Sequence, residues 1–272
     1  MIETFNTGET AQELKEKYNP DGSILRKCQL RMLDMLIYLT GVCGRLQIDY
    51  CLESGNILGA LRHGGFIPWD DDVDINVSRN DYEKLCRYLK ENPHPQFVLQ
   101  DEYTDLGFMQ SSWAVLRDLK SEYFQNSVSH NIRKYRGMQI DIFVVDNCII
   151  PSLYKFMQRV AGYRSGMLNN NYVGVARVIQ NVNKNILLPF CRFLGKYFGD
   201  KSIYMYEYGY PFNYSPMRKN IMYPHKPIEF EGHLFNGPAD PVSYCRNLYN
   251  NYIELPPVDK RNHHQASYKI WD

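Results

Sequence analysis

Asp70-Asp71-Asp72-Val73-Asp74 places four carboxylates within five residues. Like charges this close raise one another's pKa, and a bound divalent cation removes the repulsion. Hard oxygen ligands of this kind suit Mg²⁺ or Mn²⁺. Val73 and Ile75 alternate with Asp72 and Asp74, as in a strand with one buried face. Side chains at i and i+2 of a strand share a face. Asp72 and Asp74 are therefore expected to point the same way, joined by Asp70 if the strand begins early. Upstream, Ser54-Gly55 precedes a helical run over 56–62. Free N–H groups at a helix start form a natural phosphate site, so Ser54, Gly55 and Asn56 are candidate phosphate contacts. A phosphate cradle followed by paired metal carboxylates is the logic of metal-assisted phosphoryl transfer.

Blander readings compete. An acidic run is commonly a solvated loop, but the apolar alternation through Asp74 argues against one. A calcium loop needs Asp-x-Asp-x-Asp-Gly, and Ile75 stands where glycine is required. Ser54-Gly55 alone would be only a turn.

These groups need elements to hold them. Residues 8–18 suggest a short polar helix, ended by Asn19-Pro20-Asp21. A long amphipathic helix over 22–46 carries Leu30, Leu33, Leu36, Ile37, Val42 and Leu46. A short strand over 49–52 feeds the Ser54-Gly55 turn. After the acidic strand, Ser78 or Asn80 caps a helix whose buried stripe is Tyr82, Leu85, Cys86 and Leu89. Further strands are expected over 97–100, 112–119 and 137–146. In the last of these Asp141 stands between Ile140 and Ile142. A carboxylate in an apolar β run needs a partner, which a metal on Asp72 and Asp74 would supply. The plain alternative is the solvent face of a one-sided sheet. Helices follow from Pro151, the segment 205–233 reads as loop-dominated, and a helix spans 242–251.

The run from Glu53 to Asp74 resembles the signature of the LicD family, which includes the fukutin-related proteins. The matching residues are Ser54-Gly55, Leu58-Gly59-Ala60-Leu61-Arg62-His63 and Gly65-Phe66-Ile67-Pro68-Trp69-Asp70-Asp71-Asp72-Val73-Asp74. A closing motif is matched by Leu255-Pro256-Pro257, Lys260-Arg261 and His263-His264. Glu53 falls at a more variable position and is assigned no role. The resemblance implies one α/β (α+β) domain over 1–272: a nucleotidyltransferase-like mixed sheet flanked by helices, with a helical insertion at about 151–201. It also implies metal-dependent transfer of a phosphorylated alcohol, phosphocholine first, from a CDP-linked donor to a sugar hydroxyl, with CMP leaving. Acceptors would be cell-surface glycans such as lipopolysaccharide, teichoic acid or capsule, or their lipid-linked precursors. Asp72, Asp74 and Asp141, with Asp70, would hold Mg²⁺ or Mn²⁺. In the resembled fold, Asp141 is the position of a third acidic residue on a neighbouring strand. Arg62, His63, Lys260 and Arg261 would add phosphate contacts, although a structural ion pair serves Arg62 equally well. The alternatives are a true nucleotidyltransferase acting on a sugar or small molecule, and a catalytically silent CDP- or metal-binding subunit of a glycan assembly complex.

Composition bounds the rest. A net charge of +1 gives no reason to expect nucleic-acid binding. The seven cysteines are odd in number and none form a Cys-x-x-Cys pair, which favours free thiols in a reducing compartment. The opening Met-Ile-Glu-Thr lacks a basic and apolar leader, and no apolar run reaches spanning length, so a cytoplasmic location is expected. From 151 to 201 there are eight Lys or Arg and one acidic residue, Asp200. Over 186–198, Phe190, Phe193, Leu194 and Phe198 are interleaved with Arg192 and Lys196. That composition fits either a helical hairpin on the core or a peripheral contact with the inner membrane face.

Overall fold

The computed structural model describes residues 4–110, 112–125, 127–146, 148–213, 215–262 and 267–271. In chain order, α1 (Ala11–Tyr18) and α2 (Ile24–Leu46) lead into β1 (Tyr50–Leu52), α3 (Ser54–His63), β2 (Asp74–Ser78) and α4 (Arg79–Glu91). Then come β3 (Phe97–Gln100), β4 (Trp113–Asp118), β5 (Ser121–Phe124), α5 (Val128–Asn131) and β6 (Gln139–Asp146). Two long helices, α6 (Pro151–Asn169) and α7 (Val173–Val182), run through a π-turn (Asn183–Leu187) into α8 (Leu188–Phe198). The chain closes with β7 (Ile203–Tyr206), β8 (Met217–Arg218), α9 (Lys219–Met222), β9 (Lys226–Phe230), β10 (His233–Gly237), α10 (Pro241–Tyr249) and β11 (Ser267–Ile270).

The main sheet runs β1-β2-β6-β4-β3, with β7 on the far end of β6 and β8 beside β7. Among the described residues only β2 and β6 of this sheet are parallel; its other pairings are antiparallel. The α/β class and mixed sheet are as expected. Ile75, Val77, Ile140, Ile142, Ala114 and Leu116 belong to one buried core with the inner faces of α2 and α4. That face of α2 is Cys28, Met32, Met35, Leu39 and Cys43, whereas Leu30 and Ile37 point to solvent. Ser78 is the N-cap of α4, its hydroxyl accepting from the Asp81 N–H.

The segment 205–233 is loop for about half its length but carries regular elements as well. It holds β8 and α9, and β9 and β10 form a hairpin joined by Glu231-Gly232. Both turn residues have positive φ, 52° and 75°, the geometry of a two-residue hairpin turn. Glutamate at the first position hides the usual Asn-Gly signal. Its carboxylate is held by Arg26 at 2.6 and 3.1 Å and accepts the Phe66 N–H at 3.1 Å.

Candidate active site

Asp74 opens β2 and stands directly opposite Asp141 of parallel β6. The Asp141 N–H donates to the Val73 carbonyl at 2.9 Å, so pairing extends one residue toward Asp72. Val73 and Ile75 are buried while Asp72 and Asp74 are half-buried, so the alternation read from sequence holds through this segment. In-register residues of parallel strands share a face, so Asp74 and Asp141 lie on the same side of the sheet. Burial, with Asp72 and Asp141 beside it, pushes the Asp74 carboxyl well above the usual carboxylate range. Burial likewise raises Asp141, to about 6, against the opposing pull of Arg117. Among the described residues, no three acidic, His or Cys side chains are already drawn to metal-binding spacing. Mutual repulsion of uncompensated carboxylates disfavours that convergence without a cation.

The Ser54-Gly55 turn starts α3 as expected, but its donors are mostly engaged. The Ser54 N–H donates to Tyr244 Oη at 2.9 Å, and the Asn56 N–H to the Glu53 carbonyl at 3.0 Å. Among the described residues, the Gly55 N–H alone of the three keeps no protein acceptor. A Cβ at Gly55 would lie 2.8 Å from Asp70 Oδ2, so a larger residue there would push the Asp70 carboxylate aside. Asp70 therefore packs its carboxylate against the α3 N-terminus, where the helix dipole favours negative charge. Gly59 is required for packing of another kind, because a Cβ would meet the Gly65 carbonyl at 2.3 Å.

Asn56 acts on the acidic strand itself. Its buried side chain accepts the Asp74 N–H at 2.7 Å and donates to the Asp72 carbonyl at 3.4 Å. It clamps the backbone that carries both carboxylates. Gln139, two residues before Asp141 on the same face, donates to Asp141 Oδ2 at 2.7 Å. Tyr123 donates to Gln139 Oε1 at 3.3 Å, and buried Arg117 donates to Tyr123 Oη at 3.1 Å. A polar chain thus orients Asp141 from below.

Sequence reasoning gave Glu53 no role, yet it is buried at the centre of the site. It accepts from Tyr244 Oη and Asn76 Nδ2, and Asn76 Oδ1 in turn accepts from Tyr204 Oη at 2.5 Å. Burial raises the Glu53 carboxyl, while the hydrogen bonds from Tyr244 and Asn76 oppose the rise. Tyr206 Oη lies 3.4 Å from Ser54 Oγ. Asn76 and Gln139 were findable from the sequence, being i+2 from Asp74 and i−2 from Asp141. Tyr206 and Tyr244 carried no such signal. Tyr268 of β11 donates to Asp71, tying the C-terminal strand to the acidic run.

The remaining candidate residues lie elsewhere. Arg62 and His63 end α3, the far end from Ser54, about 12 Å along the axis by helix rise. Arg62 is buried and donates to the carbonyls of Tyr252 and Glu254 at 3.2 Å each. Through these two bonds it staples the C-terminal segment to the end of α3. His63 is half-buried, its ring between Phe5 and Trp69, and desolvation beside Arg62 holds its pKa down at about 3. Arg261 is ion-paired to Glu9 at 2.8 Å and donates to the Pro256 carbonyl at 2.8 Å. Lys260 is exposed on a single 3₁₀ turn. His263 and His264 fall outside the described residues. Because Arg62 ties two chain segments, Arg62→Ala is expected to lower stability by about 1–3 kcal/mol through stranded carbonyls. The KM for a phosphorylated donor should stay near wild type. Melting curves and steady-state kinetics check this, and a raised KM with an unchanged melt would return Arg62 to phosphate binding.

The LicD/FKTN/FKRP nucleotidyltransferase domain family matches residues 47–193. That span holds Ser54, the acidic run and Asp141, and it ends inside α8. The lipopolysaccharide cholinephosphotransferase LicD of Haemophilus influenzae is 27% identical over 263 residues, covering 88% of this chain and 96% of that protein. The ribitol 5-phosphate transferase FKRP of Mus musculus is 42% identical over 74 residues, 27% of this chain and 15% of that protein. Its Homo sapiens counterpart is 46% identical over 64 residues, covering 23% and 13%. The signature over Ser54 to Asp74, a mixed sheet that sets Asp74 beside Asp141, and a family match across more than half the chain make this protein a member of the LicD family.

Proposed function

We propose that this protein is a phosphotransferase that moves phosphocholine from CDP-choline to a sugar hydroxyl of a cell-surface glycan, releasing CMP. The observation that carries the proposal is the in-register pair Asp74 and Asp141, on one face of adjacent parallel strands, with both carboxyl groups raised. The near full-length similarity to a lipopolysaccharide cholinephosphotransferase supports choline as the alcohol and a glycan as the acceptor.

The donor set is oxygen only and too negative to remain fully ionised alone, which fits a hard divalent cation. Asp72, Asp74 and Asp141, with Asp70 near the α3 N-terminus, would hold Mg²⁺ or Mn²⁺. When bound, such an ion neutralises the donor diphosphate and the charge on departing CMP. The protein's own groups do the rest. The Gly55 N–H and Ser54 Oγ hold phosphate oxygens at the helix start. Asn56 and Gln139 fix the directions of the carboxylates, and Asp141 accepts the proton of the attacking sugar hydroxyl. The new bond joins the sugar oxygen to the choline-bearing phosphorus, and the phosphorus–oxygen bond to CMP breaks. The reaction is placed on the cytoplasmic side, where glycan acceptors carried on lipid are within reach. Among the described residues, no helix is long and apolar enough to cross a membrane.

Purified protein incubated with CDP-choline, CDP-ethanolamine, CDP-glycerol or CDP-ribitol, Mg²⁺ and candidate glycans is expected to release CMP fastest from CDP-choline. Phosphocholine should appear on the glycan. Appearance of a nucleotide on the acceptor would mark nucleotidyl transfer instead, and no turnover with any donor would favour a silent binding subunit.

A further inference from the structure

The insertion formed by α6, α7 and α8 is attached to the body through its polar inner side. Arg164 donates to Gln180 at 2.8 Å and to Gln110 at 2.7 Å. Lys184 pairs with Glu102 at 3.4 Å, and Arg192 with buried Glu207. The buried positions of α7 and its continuation are Ala176, Gln180, Asn183, Leu188, Cys191 and Gly195. The single step of five, from Asn183 to Leu188, is taken up by the π-turn, which absorbs the extra residue and keeps one face inward.

The opposite face is apolar and open. Val178, Val182, Ile186, Phe190, Phe193 and Tyr197 follow one another at steps of three or four and are 42–63% exposed. The ridge is about 28 Å long by helix rise, and Phe198, 75% exposed, extends its end. Isolated exposed apolar residues are ordinary, but a continuous ridge marks an interaction surface. Its charge setting selects the partner. Lys155, Arg159, Arg177, Lys196 and Lys201 are all exposed on the insertion, and Asp200 is its only acidic residue. Two copies packed ridge to ridge would bring like charges together. An anionic surface that also accepts side chains meets both features.

We infer that the α7–α8 ridge is a docking surface for anionic phospholipid: it lies in the plane of the headgroups with its apolar side chains partly inserted. Arg192, which the sequence grouped with the membrane-facing charges, turns inward, and Leu194 is only half-exposed, so neither belongs to the contact. Val178 and Val182, upstream of the segment singled out from sequence, do belong, as does Ile186 at its start. This inference rests on the reading of the acceptor as a lipid-carried glycan, but its test needs no turnover.

Flotation with phosphatidylglycerol–phosphatidylcholine vesicles and with phosphatidylcholine alone measures it directly. The full chain is expected to partition onto the anionic vesicles at low salt and to leave them at about 1 M NaCl, where charge is screened within ~3 Å. Ile186→Ser/Phe190→Ser/Phe193→Ser should lower the partition roughly tenfold or more, and Arg177→Glu/Lys196→Glu should lower it on anionic vesicles specifically. These side chains are exposed, so unchanged melting curves are expected, and Phe190→Glu alone serves if the triple variant melts early. Equal binding by wild type and ridge variants, or no wild-type binding at low salt, overturns the inference. So does a concentration-dependent dimer in sedimentation velocity that the ridge variants abolish, since the ridge would then be a self-association surface. Vesicle binding without CMP release in the donor assay would fault the proposed activity and leave the docking surface standing.

Discussion

Asp74→Asn is expected to lower turnover at least about a thousandfold while the protein without metal becomes more stable. In the proposed mechanism the activity loss follows from removing a charged oxygen ligand at the developing charge of phosphoryl transfer, a site where single electrostatic groups are worth ~10²–10³ or more. The stability gain follows from the raised carboxyl groups. Folded Asp74 and Asp141 hold protons that the unfolded chain has already released at the same pH. The stability linked to these groups is therefore fully present below the ordinary carboxylate pKa and is lost as pH rises, for Asp141 through about 6 and for Asp74 as it too ionises above the usual carboxylate range. Wild-type protein in chelator should melt at progressively lower temperature across that window. Asp74→Asn should flatten the slope and raise the melting point near neutral pH by a few degrees, on the order of 1 kcal/mol. Mg²⁺ should restore the wild type and do little for the variant, as expected for a ligand that binds the folded state alone. Near wild-type turnover with Mg²⁺, or a variant that melts earlier at neutral pH, would remove Asp74 from the metal site.

Glu53→Leu is the second large effect, and it is one the sequence did not suggest. Leucine would leave Tyr244 Oη and Asn76 Nδ2 without their buried acceptor. Each stranded donor costs about 1–3 kcal/mol, so a loss on the order of 3 kcal/mol is expected, lowering the melting point by roughly 10 °C. Activity should fall as well, because Tyr244 Oη receives the Ser54 N–H and so holds the phosphate-side turn. Glu53→Gln keeps one acceptor oxygen and should fall between the two. Thermal melts of the three proteins, with donor KM for each, would separate the contributions. A leucine variant that melts with the wild type would show that the Tyr204–Asn76–Glu53–Tyr244 network carries little of the fold.

By itself the sequence determined which carboxylates share a face and which elements bear them. Alternation of Val73 and Ile75 with Asp72 and Asp74 is a property of pleat geometry and needs no partner strand. Asn76 and Gln139 follow from the same period. The distance between Ser54 and Arg62 was also implicit, since a ten-residue helix holds its ends apart. Tertiary structure alone decided the rest, because it depends on contacts between residues far apart in the chain. Pairing β2 with β6 brings together Asp74 and Asp141, 67 positions apart in the chain, and local periodicity carries no information on strand order. The chain's fold set the Asn56 side chain against the backbone of Asp72 and Asp74 and the Arg62 side chain against the C-terminal segment. It also gathered Tyr204, Tyr206 and Tyr244 around Glu53. Burying a carboxylate demands donors, and only the packed chain shows which donors arrive.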